Sequence, residues 1–252
     1  YVSKYSLKNY LDDSIVKIST DGKILYNKSL TEILIENSIV PDNFALKSYI
    51  SGVDDPIHLN DIEPALTDSE YWKQGDVFLS PRHQSAIIHY RPSTNKVINY
   101  ITGPFAQQHD VDIISNEEIS IFNNNVHFYK GSRIDGGNLH FNTVPQIGLV
   151  EILIYNFRTK SFSKKFENQL NKNDVNTSVQ GAAEILDDGS LFIEETNRGR
   201  ILFLDKNGKL LWEYVNKAKN GKNYSLAFSK ILSNDENLKK TINTIKNNKC
   251  LN

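Results

Sequence analysis

Ala182-Ala-Glu-Ile-Leu-Asp-Asp-Gly-Ser-Leu-Phe-Ile193 and the stretch after it, Ile201-Leu-Phe-Leu-Asp-Lys-Asn-Gly-Lys-Leu-Leu-Trp-Glu-Tyr-Val215, hold four short apolar runs separated by polar turns. Asp188-Gly189 and Asn207-Gly208 sit between the members of each pair. Both dipeptides tolerate positive φ, which a tight hairpin between twisted strands requires. The runs are too short for helices and rich in β-branched and aromatic residues. The segment therefore predicts four antiparallel strands in succession.

The same pattern recurs upstream. Hairpins are expected at Val16–Tyr26 around Thr20-Asp-Gly-Lys, at Ala86–Ile101 around Pro92-Ser-Thr-Asn, and at Ile152–Phe166 around Arg158-Thr-Lys. The later two are preceded, as the last hairpin is, by an apolar–acid–apolar strand, a turn and a second apolar run. These are Asp61-Ile-Glu-Pro-Ala-Leu with Gly75-Asp-Val-Phe-Leu-Ser, and Asp110-Val-Asp-Ile-Ile-Ser-Asn with Ile119-Ser-Ile-Phe. Aligned, the copies put Glu63, Asp112 and Glu184 at one register. Four-stranded units at such spacing fit β-propeller blades. The expected fold is all-β, with blades at about 58–103, 108–166 and 179–216, half of another at 12–28 and a closing strand at 224–232. Propellers usually close with about four to eight blades, so an N-terminally truncated propeller accounts for the shortfall; a β-sandwich is the competing fold. The propeller domain is expected over 1–233, and 234–252 is expected to be a polar tail or surface helix. Thr67–Gln74 and Gly131–Gly148 read as insertions, and Ser29-Leu-Thr-Glu32 as a capping box opening a short helix.

Composition narrows the function. Of 252 residues 39% are hydrophobic, enough for a sizeable core, and 29 basic residues meet 30 acidic ones, so no nucleic-acid surface is indicated. No apolar run reaches the roughly 18 residues that cross a membrane. A single cysteine, Cys250, excludes a disulfide scaffold. The chain lacks methionine even at position 1, and an upstream signal or anchor is expected to precede Tyr1. There is no glycine-rich phosphate loop, no zinc signature and no nucleophile elbow, so neither cofactor nor metal is expected.

In a propeller the first strand of each blade lines the central axis, and the residues before it ring one mouth. By that argument His58-Leu-Asn-Asp61, Gln107-Gln-His-Asp110 and Val179-Gln-Gly-Ala182 converge. His58 and His109 then face one cavity, with Asn60, Asp61, Asp110 and Asp112 placed to fix imidazole tautomers. The competing role for such pairs is to satisfy backbone groups between blades. Arg82-His83 closes the second strand of its blade, His89 reads as a strand-face residue, and Arg133 falls on the loop Gly131-Ser-Arg-Ile-Asp-Gly-Gly.

Gly75-Asp-Val-Phe-Leu-Ser-Pro-Arg-His-Gln-Ser-Ala-Ile-Ile, then Gln108-His-Asp-Val-Asp, then Gln180-Gly-Ala-Ala-Glu-Ile-Leu-Asp-Asp-Gly-Ser-Leu-Phe resemble the arylsulfotransferase β-propeller family over about His58–Asn216. The resemblance implies transfer of a sulfuryl group from an aromatic sulfate ester to a phenol, by ping-pong through a sulfo-histidine without a nucleotide donor, outside the cytoplasm. It implies His58, His109 and Arg133 as catalytic, and Asn60, Asp61, Arg82, His83 and Asp110 as substrate-binding residues. Tyr71, Trp72 and Phe105 lie near enough to sandwich an aromatic ring. The sequence departs from the family at Asn176-Thr-Ser-Val-Gln-Gly-Ala, where the nucleophilic histidine is expected and none stands. Three possibilities follow: a transferase using His58 or His109, a propeller that binds a ligand or protein without catalysis, or a metal-dependent enzyme using His58, His83 and His109.

Overall fold

The computed structural model describes residues 11–39, 55–135, 138–231, 240 and 242–244; for 128–135 and 138–147 it describes the backbone path. A hairpin of β1 (Ser14–Ile18) and β2 (Ile24–Ser29) leads into α1 (Leu30–Glu36). Ser29 caps this helix, its side chain accepting from the Glu32 N–H, as the capping-box pattern requires.

Three antiparallel four-stranded sheets follow. The first is β3 (Leu59–Pro64), β4 (Val77–Pro81), β5 (Ile87–Arg91) and β6 (Lys96–Ile101), in sequence order. The second starts with β7 (His109–Ile113) and β8 (Glu118–Asn123), detours through a ribbon of β9 (Val126–Asp135) and β10 (Asn138–Ile147), and ends with β11 (Glu151–Asn156) and β12 (Ser161–Lys165). After α2 (Glu167–Lys172) comes the third: β13 (Ala182–Ile185), β14 (Leu191–Glu195), β15 (Arg200–Leu204) and β16 (Leu210–Val215).

The sheets stack face to face, as blades do. Successive side chains of a strand point to opposite faces, and the core divides accordingly. Phe78 and Ile87 join Phe105, Val111, Ile121, Leu153 and Phe157 between the first and second sheets. Their chain neighbours Leu79 and Ile88 pack instead against Ile15, Leu30 and Ile33 of the N-terminal unit. Likewise Phe122, Ile152 and Ile154 turn from the first cluster to meet Ala183, Ile193 and Leu202 of the third sheet. β4 and β8 thus each serve two cores, which is why they read as near-continuous apolar runs. The protein is all-β, built of propeller blades.

Several expectations are corrected. The insertion at Gly131–Gly148 is mostly the β9–β10 ribbon, so Arg133 lies on a strand opposite His140, not on a loop. Residues 224–231 form no strand. Trp72 and Phe105 are buried in the core and have no face to offer a substrate ring, and Tyr71 packs half-buried against Phe157. His89 is on β5 as expected, buried between Asp76 and Asn99. Helix α2 was not expected; Leu170 is its single buried anchor. Apart from Lys240 and Ile242–Thr244, which are helical, the tail 234–252 lies outside the described residues.

Candidate functional site

The inner strands β3, β7 and β13 lie side by side at the axis. Each has one edge unpaired, leaving backbone N–H groups that must find partners. Carboxylates of the preceding unit supply them. Asp13 Oδ2 accepts from the Leu59 N–H (2.7 Å), Asp61 Oδ2 from Val111 (2.8 Å) and Asp110 Oδ2 from Ala183 (2.7 Å). Asp61 and Asp110 are therefore links between blades. Asn60 has a similar duty, its Nδ2 donating to the Gln108 carbonyl at 2.9 Å.

Ahead of each inner strand the chain bends through a left-handed residue: His58 (φ 54°), Gln107 (56°) and Gln180 (57°). The first bend is clamped by Asp55, whose Oδ1 accepts the His58 backbone N–H (3.1 Å) and whose Oδ2 meets His58 Nδ1 (2.5 Å). The turn Arg82–Gln84 after β4 is tied to the same segment, Arg82 N–H donating to the His58 carbonyl (3.0 Å) and His83 N–H to that of Ile57 (3.1 Å). His83 Nδ1 lies 2.5 Å from the Asp55 carbonyl oxygen, and the Arg82 guanidinium donates to His83 Nε2 at 2.8 Å. That pair of contacts fixes His83 as the Nδ1–H tautomer. The rings of His58 and His83 stand 4.6 Å apart.

Arg82 is 2% exposed, and its Nε–H has no partner among the described residues. Burial lowers its pKa to about 10, against the opposing pull of Asp55. Burial likewise lowers that of His83, with the charges of His58 and Arg82 adding to it. A buried guanidinium with unspent donors beside two imidazoles favours an anion. Asp55, His58 and His83 could also offer a metal one ligand atom each, all within 4.8 Å of one another; the Arg82 cation beside them opposes that use.

His109, on the neighbouring blade, is held at both nitrogens. Nδ1–H donates to Asn124 Oδ1 (2.7 Å), and Nε2 accepts the Gln180 N–H (3.1 Å). Asn124 in turn donates to the carbonyls of Thr177 (2.9 Å) and Gln180 (2.7 Å). Burial pushes the imidazole down to about 4, with Arg82 and His58 adding repulsion, so the ring is neutral at physiological pH. It joins the second blade to the segment where the family's histidine was expected. Asp55 and Asn124, which set both tautomers, were not singled out from the sequence. Asp55 lies just before Pro56, three residues ahead of His58, and Asn124 is hidden in an Asn-Asn-Asn run. The side chain of Arg133 lies outside the described residues.

No curated protein matches the sequence. Solved structures to which the chain is similar include a protein of unknown function from Bacteroides caccae (11% identity, TM-score 0.47, covering 80% of this chain and 59% of that one) and virginiamycin B lyase from Staphylococcus aureus (14%, 0.36, 84% and 66%). The chain thus spans 59% and 66% of the lengths of these two structures. The sequence profile described as arylsulfotransferase (ASST) matches residues 2–217, taking in all three blades and both clusters of histidines. The chain belongs to the arylsulfotransferase family.

Proposed function

We propose that the protein transfers a sulfuryl group from an aryl sulfate ester to a phenolic acceptor at the Asp55–His58–Arg82–His83 cluster, without a nucleotide donor. The observation that carries this is the Asp55–His58 pair beside a buried arginine. With Nδ1–H engaged by a carboxylate, the far nitrogen of His58, Nε2, bears the lone pair, and the side chain is 44% exposed. This is the arrangement of an activated imidazole: base or nucleophile, with a third group orienting it. His58 Nε2 attacks sulfur, the S–O bond to the aryl group breaks and a phenolate leaves. In the second half the acceptor's oxygen attacks the same sulfur, the N–S bond breaks and the acceptor's proton is lost to solvent or to the departing imidazole. The migrating group spreads negative charge over its oxygens, so positioning and cationic donors contribute most. Arg82 supplies those donors, and Arg133 is a second candidate on family grounds. His109, neutral and bonded at both nitrogens, is assigned to holding the mouth together.

A non-catalytic, ligand-binding propeller is the second possibility. It is favoured by the backbone of Gln180 standing against His109 where the family's histidine is expected.

The test is release of a chromogenic phenol from an aryl sulfate, with and without excess acceptor phenol, for the protein and for His58→Ala. Acceptor-dependent release lost in the variant supports transfer. No release from folded protein, with inorganic sulfate still bound, points to the binding role.

A further inference from the structure

We propose that residues 224–231 form a strap closing the acid-lined stretch of the axis, seated by Lys230 at neutral pH and loosened by acid. Beyond the mouth, the inner strands carry carboxylates: Asp61 and Glu63 on β3, Asp110 and Asp112 on β7, and Glu184 on β13. Glu63, Asp110, Asp112 and Glu184 line a cavity of about 310 Å³, and Ser229 and Lys230 form its remaining polar wall.

The strap is tied at its start by the Tyr224 N–H, which donates to the Asn216 carbonyl (2.8 Å), and further on by two of its N–H groups that reach the third blade. Leu226 N–H donates to the Thr196 carbonyl (3.0 Å), and Ser229 N–H to Glu194 Oε2 (2.5 Å). Glu194 is a buried side chain whose other oxygen accepts from Thr196 Oγ1, so lifting the strap strips a buried acceptor of a partner. Between the two tethers Phe228 is held at φ 57° with its ring 95% exposed. A bulky residue in the left-handed region is strained. The strap is therefore anchored but not tightly, as a switchable element must be.

Lys230 decides the balance. Its charge acts on Asp61 and Glu63 of β3 and on Asp112 of β7, favouring their ionised forms. Around them stand Asp110 of β7, Glu184 of β13 and Glu194 of β14. Burial, then repulsion from Glu63, Asp61 and Glu184, raises Asp112 to about 7. Burial also raises Asp61 and Glu63 and, with repulsion from Asp112, Asp61 and Glu63, carries Asp110 well above the ordinary range. These groups take up protons in the folded protein earlier than free carboxylates do. As pH falls through about 7, the attraction that seats Lys230 weakens, while the strain at Phe228 stays.

The experiment is amide hydrogen exchange of Leu226 and Ser229 at pH 8 and pH 5.5, corrected for intrinsic rates, with the β14 amides as a reference for global opening. Protection of both amides at pH 8, falling at least about tenfold at pH 5.5 while β14 stays protected, is expected. Lys230→Gln should be unprotected at both pH values, and Asp112→Asn should flatten the pH response. Equal protection at the two pH values, or a Lys230→Gln variant indistinguishable from the parent, would overturn the proposal. The measurement needs no turnover, so its failure is distinct from failure of the sulfuryl-transfer assignment.

Discussion

Asp55 grips His58 twice, taking its backbone N–H on one carboxylate oxygen and meeting ring Nδ1 with the other. The first bond holds a left-handed bend in place and the second sets the tautomer, so geometry and chemistry share one side chain. Removing the imidazole in His58→Ala should lower transfer by at least about 100-fold, the usual contribution of a positioned acid–base group. Asp55→Ala should leave the ring but release it, with kcat falling more than KM rises. Rates for both variants against aryl sulfate concentration check this; an unchanged kcat in Asp55→Ala would remove the pair from the mechanism.

Arg82 is the cation of the cluster. A hydrogen bond to a charged group contributes about 1.5–3 kcal/mol, so Arg82→Lys, which loses the fork of donors but keeps a charge, should weaken inhibition by inorganic sulfate by roughly 10-fold or more. The same variant changes the cation that donates to His83 Nε2, and its pH–rate profile should differ from the parent's in consequence. A sulfate inhibition constant matching the parent's would transfer the anion to another group, with Arg133 next to be tested.

The blades were legible because their signal is short-range: hairpin dipeptides and strand alternation fix β3–β8 and β11–β16 without any tertiary information. The β9–β10 ribbon is hidden in the sequence because glycine and polar residues interrupt the apolar positions of Gly131–Gly148, which therefore reads as one insertion. The mouth was legible only as a place. The blade repeat places the segments ahead of the inner strands at one end of the sheets, but what each histidine nitrogen touches depends on side-chain packing. Asp61 and Asp110 show the difference. Their recurrence looked like tautomer control of neighbouring histidines, whereas the unpaired edge of an inner strand claims both carboxylates first.

Those interblade links carry a prediction of their own. Val111 is fully buried, so Asp61→Ala leaves its N–H without an acceptor and should cost about 1–3 kcal/mol. Asp61→Asn keeps an acceptor and drops the charge. Burial raises the Asp61 pKa above its ordinary value, so the folded protein binds this proton more tightly than the unfolded chain does. The group's contribution is then most favourable at low pH and declines as pH rises. Asp61→Asn should accordingly match or exceed the parent's stability at pH 8, with Asp61→Ala below both. Denaturant midpoints of the three proteins give the order directly.

His109 has the opposite sign. Its folded pKa of about 4 lies below the ordinary 6.5, so between those values the unfolded chain binds the proton that the fold refuses. Stability from this group is complete above pH 6.5 and is lost as pH falls toward 4, by up to about 3 kcal/mol for a shift of this size. Asp112, raised to about 7, gains stability over much of the same window as pH falls, and the two slopes oppose each other. The parent should therefore show a shallow stability profile between pH 4 and 7. Asp112→Asn removes the compensating group, so its stability should drop more steeply on acidification. His109→Asn abolishes the acid penalty but leaves the Gln180 N–H or Asn124 without its partner, and should be less stable at pH 7 and flatter below it. Urea midpoints at pH 4.5, 5.5, 6.5 and 7.5, test pH values spanning the window set by these pKa values, decide the matter. A parent profile that Asp112→Asn leaves unchanged would mean that the axial carboxylate is charged throughout.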